Sequence, residues 1–240
     1  LAPPRPESVD AAESSAPEPA ATPPGRGLFA LLREDPVFAR YQLWQFLIGS
    51  ANMITEGPLI LLVSRDLGAS YSESIALALV IPLGLSMLTL PFWAVWMDRI
   101  HIAEFRAKHS GLWAASQAVV WLGALHGSLL WIGVGRAVLG VARGGGVLAW
   151  QIGHNDFATP ERAARYMGVH VTLTGLRGAF APFLGVLLYV GWQGFTLPGT
   201  GVTLPAWSGV GAHTMGVAAA ISVTGTLGYV ALWRRVRAGA

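Results

Sequence analysis

From Phe38 onward the sequence is a series of apolar runs, each about 20 residues long, interrupted by short polar segments. A helix of that length crosses a hydrocarbon core ~30 Å thick, and a soluble fold has no use for so many of them. The runs cover 40–63, 74–97, 107–126, 129–153, 166–189 and 212–233. Only Gly127-Ser128 separates the third from the fourth. Composition agrees: 53% of the 240 residues are hydrophobic and 12% are charged, about half the charge of an ordinary soluble domain. So few charges exclude an ordinary soluble enzyme and a wholly disordered chain. The formal excess of +3 sits in short segments beside apolar runs. That pattern orients a chain in a membrane and does not make a nucleic-acid binder. Cysteine is absent, which removes disulfides, thiol nucleophiles and Cys-based metal sites.

The basic residues alternate from one connection to the next. Arg26, Arg33 and Arg40 precede the first run, Arg99, Arg106 and Lys108 follow the second, Arg162 and Arg165 follow the fourth, and Arg234, Arg235 and Arg237 close the last. The intervening connections hold only Arg65, and the loop over 191–211 carries no charge. The expected fold is therefore an all-α membrane protein of six transmembrane helices with both ends cytoplasmic. Tyr41, Trp96, Tyr189, Trp192 and Trp233 fall near run ends, as an aromatic belt would. The excess of Arg over Lys, with abundant Ala and Gly, suits a GC-rich bacterial gene, hence a multi-pass inner-membrane protein. Residues 1–27 hold seven of the 15 prolines, four acids and no aromatic residue, a composition that cannot offset its ordering entropy. The division is a disordered cytoplasmic tail or linker over 1–37 and a transmembrane domain over 38–240. The first residue is Leu, so the chain is expected to be a fragment or a processed product.

Charge inside a membrane span costs about 2.5–3.5 kcal/mol on insertion scales and usually marks function. Gln45, Gly49, Asn52 and Glu56 share one stripe of the first span. Arg136, Gly140 and Arg143 share a face of the fourth, and His170, Thr174 and Arg177 a face of the fifth. Glu56 and Arg136 fall at similar depth, which allows an ion pair. Arg143 and Arg177 then have no intramembrane acid. Two readings stand side by side. In one, the arginines line a central cavity that favours an anionic solute, with Glu56 a proton-coupling site. In the other, each guanidinium bonds backbone carbonyls and locks helix to helix. Gly140 and Gly144 would let two helices approach closely, and Pro58, Pro82, Pro91 and Pro182 would leave carbonyls for neighbours to satisfy.

The chain resembles one half of a major facilitator superfamily transporter over about residues 38–237. The six-span pattern after a Pro/Ala-rich segment carries this, with two motifs. Ala94-Val95-Trp96-Met97-Asp98-Arg99 is similar to the family's Gly-x-x-x-Asp-Arg-x-Gly-Arg loop, matched at Asp98 and Arg99 and departing at Ala94 and over His101-Ile102-Ala103. Gly135-Arg136-x-x-x-Gly140 is similar to its Arg-x-x-x-Gly helix motif. The resemblance implies an MFS-like half-bundle, a cavity lined by the first and fourth helices, and a gating pair at Asp98 and Arg99. It also implies alternating access and a second six-helix half, or a second copy, as partner. The long linker and the segment 160–185 resemble the C-terminal half of the family, whereas the Arg-x-x-x-Gly motif resembles the N-terminal half.

Other classes fit less well. The Gly-x-Ser-Gly turn of an intramembrane serine protease and the His-Glu-x-x-His of a metalloprotease are absent. His101, Glu104 and His109 lie in a basic connection, and Asn155 or Asp156 suits a helix cap better than catalysis. A non-transporting accessory subunit is the main alternative, and an intramembrane enzyme a lesser one. No phosphate-binding loop is present. The expectation is a secondary transporter embedded in lipid, with a small-molecule substrate and without enzymatic activity, cofactor, metal or nucleic acid.

Overall fold

The computed structural model describes residues 28–239, and the tail expected over 1–27 lies outside them. Of residues 28–37, which the division at 37 gives to that tail, all but Asp35 are helical. Helix α1 (Leu28–Glu34) ends at Asp35, the N-cap of α2 (Pro36–Ile60). The Asp35 carboxylate accepts from the backbone of Val37 and Phe38 and from the Tyr166 hydroxyl at 2.9 Å. Glu34 meets Arg165 at 3.2 Å and Arg162 at 3.5 Å. Local capping and tertiary ties thus fix the entry to the bundle, with Leu31 wholly buried.

Helix α2 continues through a π-helical turn over Leu61–Asp66. A capping box of Ser70 and Glu73 starts α3 (Tyr71–Ile75), which runs through a second π-turn, Ala76–Val80, into α4 (Ile81–Met97). Next come α5 (Ile102–His109) and α6 (Gly111–Leu125), α7 (Leu129–Ile152), α8 (Ala163–Val190) and α9 (His213–Ala238). Among the described residues five helical segments are long and apolar enough to cross a membrane: Pro36–Asp66, Tyr71–Met97, Leu129–Ile152, Pro160–Val190 and His213–Ala238. The third apolar stretch differs from the sequence expectation. It begins at Ile102 and divides at Ser110, where Ser-Gly is a weak helix-forming pair.

Helix α2 packs on α8 and α9, α7 on α4 and α6, and α9 also on α5 and α6. Gly140 and Gly144 bring α7 against Pro82, Leu85, Ser86 and Thr89 of α4, where added methyl groups would clash. The Trp93 indole then donates to the Val141 carbonyl at 2.7 Å. One core cluster, with Phe38, Tyr41, Phe105, Tyr166 and Tyr229, fills the end near Ile102. Another, with Leu59, Ile132, Tyr189 and Met215, fills the opposite end. The uncharged 191–211 loop carries a small hairpin, β1 (Phe195–Thr196) against β2 (Thr203–Leu204), with Trp192 and Trp207 in contact at its base.

Candidate functional site

Between the two clusters lies a cavity of about 480 Å³. Helix α2 supplies one wall with Gln45, Gly49, Asn52 and Glu56, backed by Ile48 and Met53. Four of these form the polar stripe visible in the sequence. Helix α7 supplies Leu139, Arg143, Gly146, Val147, Trp150 and Gln151; α5 and α6 add Arg106 and Trp113, and α8 adds Arg177.

Gln45 organises the arginines. Its backbone carbonyl accepts from Arg177 Nη1 at 2.8 Å. Its side-chain oxygen accepts from Arg106 Nη2, and from the Tyr229 hydroxyl at 2.8 Å. The Arg106 guanidinium also lies 5.7 Å from the Tyr229 ring centre. Both arginines are buried, and Nε of each has no hydrogen-bond partner among the described residues. The Arg177 guanidinium lies across Gly49, where any side chain would displace it. Arg143 is half-buried and makes no hydrogen bond or ion pair among the described residues. One guanidinium is therefore held by the Gln45 side-chain amide, a second by the Gln45 backbone carbonyl, and a third has no partner among the described residues.

Arg136 is placed differently. It is buried outside the cavity lining. It donates from Nε to the Leu77 carbonyl at 2.9 Å and from Nη2 to the Ala78 carbonyl at 2.7 Å. Those carbonyls are free for a covalent reason. Pro82 has no N–H to give Ala78, and the Ile81 N–H is turned to Ala76 in the π-turn. Glu56 stands 3.5 Å from Arg136 on both its oxygens, and its side chain keeps 40% exposure toward the cavity.

His170 and Thr174 stand behind the cavity. His170 Nδ1 meets the Gln42 side-chain oxygen at 3.1 Å and its ring centre lies 5.2 Å from that of Trp150, whose indole donates to Thr174 at 3.3 Å, so both bear on that lining side chain. His154 stacks beyond His170, and burial holds its imidazole below the ordinary range. Asp98 and Arg99 line a separate cavity of about 650 Å³ with His101, Asn155 and Asp156. Neither makes an ion pair among the described residues. Asp156 is a cap, but for a different helix than its own, since it accepts from the Ile102 N–H that opens α5. His109 is buried with Nε2 2.8 Å from the Ala142 carbonyl, away from the solvated connection the sequence suggests.

Sequence reasoning passed over Arg106, Trp113, Trp150 and Gln151. Arg106 looks like one of the orienting charges beyond the second run, yet it reaches inward to Gln45. A signal was available. Arg143 and Trp150 are seven residues apart and share a face of α7, and Arg106 precedes Trp113 by the same spacing across the break at Ser110.

Long apolar helices enclosing a charge-bearing cavity define a multi-span, largely helical membrane protein. No protein-family model matches the chain, and no curated protein matches it.

Proposed function

We propose that the chain is a six-helix half-bundle of a secondary transporter of the major facilitator type, working by alternating access on a small anionic solute. The observation that carries the reading is the charge balance of the central cavity. Arg106, Arg143 and Arg177 line it against a single carboxylate, Glu56, which already faces Arg136. At membrane depth such an excess is stabilised most simply by an anion that enters and leaves. Helix packing adds support. Counted as six spans, exchange of the first three with the last three carries the main contacts onto themselves. Contacts of α2 with α8 and α9 become those of α7 with α4 and α6, while the contact of α6 with α9 maps to itself. Consecutive spans alternate in direction, so the relation has the form of an inverted repeat.

In this reading both ends face the cytoplasm of a bacterium, and Asp98 and Arg99 belong to a gate at that side. A second six-helix unit, linked in the same polypeptide or supplied by another copy, closes the cavity. Glu56 is the proton-coupling carboxylate. The test is uptake into liposomes of anionic and cationic solutes under an imposed proton gradient. Anions alone should accumulate, and Glu56→Gln should abolish accumulation while leaving exchange of substrate across the membrane. Preferential accumulation of cations contradicts the reading. Stable insertion with no uptake favours an accessory subunit.

A further inference from the structure

We infer that the cavity takes an organic acid with an apolar, preferably aromatic, body, and that Arg143 anchors its carboxylate. The inference rests on the reading of this cavity as an anion-transport site and names the class of solute. Arg106 and Arg177 each donate to Gln45, whereas Arg143 has no hydrogen-bond partner among the described residues. A planar guanidinium with free donors matches a carboxylate in two-point contact. The rest of the lining is mostly unsuited to a small hydrated ion. Ile48, Met53, Leu139 and Val147 are aliphatic, and Trp113 and Trp150 present ring surface. A volume of about 480 Å³ is in the range of sites for small organic ligands.

The arrangement along the cavity sharpens the fit. Helices α6 and α7 are joined by a tight turn and run in opposite senses, with Val120 against Gly135 and His109 against Ala142. Arg106 precedes Trp113 by seven residues and Arg143 precedes Trp150 by seven, about 10 Å along each helix. Each arginine therefore stands near the height of the other helix's indole. A carboxylate on Arg143 leaves its apolar body beside the Trp113 indole and along the wall toward Trp150, and the guanidinium groups held by Gln45 add a positive field without being displaced.

The experiment is equilibrium binding by calorimetry to the purified, detergent-solubilised protein. The probes are phenylacetate, its neutral isostere phenylacetamide, acetate and inorganic phosphate. Phenylacetate should bind about tenfold or more tightly than any of the other three. Arg143→Gln should erase the preference for acid over amide. Arg143→Lys, which keeps the charge and loses the fork, should weaken binding and keep the preference. Trp113→Leu or Trp150→Leu should weaken phenylacetate and leave acetate unchanged. Equal binding of acid and amide overturns the inference, as does phosphate binding as well as phenylacetate, or no phenylacetate binding at all. If Arg143→Gln does not fold, the probe series on the unmodified protein and Arg143→Lys decide. Binding without uptake into liposomes refutes the transport reading and leaves this site standing. Uptake of other anions without phenylacetate binding refutes the inference alone.

Discussion

Two groups of buried arginine lie within the same bundle, and their surroundings differ. Arg136 sits where Pro82 and a π-turn leave the Leu77 and Ala78 carbonyls without helical donors, and it donates to both. Its remaining charge faces Glu56. Around the cavity, Arg106 donates to the neutral Gln45 side chain, Arg177 makes one bond to the Gln45 backbone carbonyl with no carboxylate beside it, and Arg143 has no partner among the described residues. The cost of burying a guanidinium is met by fixed acceptors in the first case and left partly unmet in the second. Partner type, more than depth or burial, separates Arg136 from Arg143, which the proposal above makes the ligand-binding arginine. The helix-locking arrangement expected from the sequence is seen at Arg136; the anion-cavity reading of the other arginines is the proposal made above.

The contrast can be broken most severely at Arg136. Arg136→Leu strands two carbonyls and unpairs the half-exposed Glu56 carboxylate, and should destabilise the folded protein by about 2–5 kcal/mol, mostly through the carbonyls. Thermal unfolding followed by intrinsic tryptophan fluorescence would read this as a large fall in midpoint. An unchanged midpoint would mean that Arg136 holds nothing together.

A smaller change should turn the cavity arginines into the Arg136 type. Gln45→Glu places a carboxylate on Arg106 and the Tyr229 hydroxyl, on the residue whose backbone carbonyl holds Arg177. The expected gain in stability is about 1–2 kcal/mol from charge-assisted hydrogen bonds. Anion binding should fall at the same time, because the protein then supplies its own counter-charge. Loss of stability in Gln45→Glu would show that these arginines are already balanced.

The smallest effect is at the helix cap. Asp156→Ala frees the Ile102 N–H that opens α5 and should cost about 1 kcal/mol. Solute binding at Arg143 should not change, since the cap and the cavity share no side chain. A loss of binding in this variant would tie the cap to the cavity and blur the division between scaffold and site.

Much of this architecture was legible in sequence because the membrane imposes a simple length and polarity rule. The long apolar runs and the stripe of Gln45, Gly49, Asn52 and Glu56 follow from helical period alone. The close approach at Gly140 and Gly144 follows from residue size. Three features were not legible, each for a physical reason. Arg106 sits beside Lys108 in a basic stretch, and only tertiary packing turns it inward to Gln45. The segment over 28–34 is too short to stand as a helix alone, and is held by contacts of Glu34 and Asp35 with α8. The role of Arg136 depends on carbonyls freed by Pro82, more than 50 residues away in sequence. Proline marks where carbonyls are freed, but not which side chain satisfies them.

The central claim is that an anion passes through this cavity against Arg143. It is tested most directly by uptake of labelled phenylacetate into liposomes carrying equal amounts of inserted wild-type or Arg143→Gln protein. The account predicts saturable uptake by the wild type and a loss of about tenfold or more in the variant. Equal uptake by both proteins would contradict it.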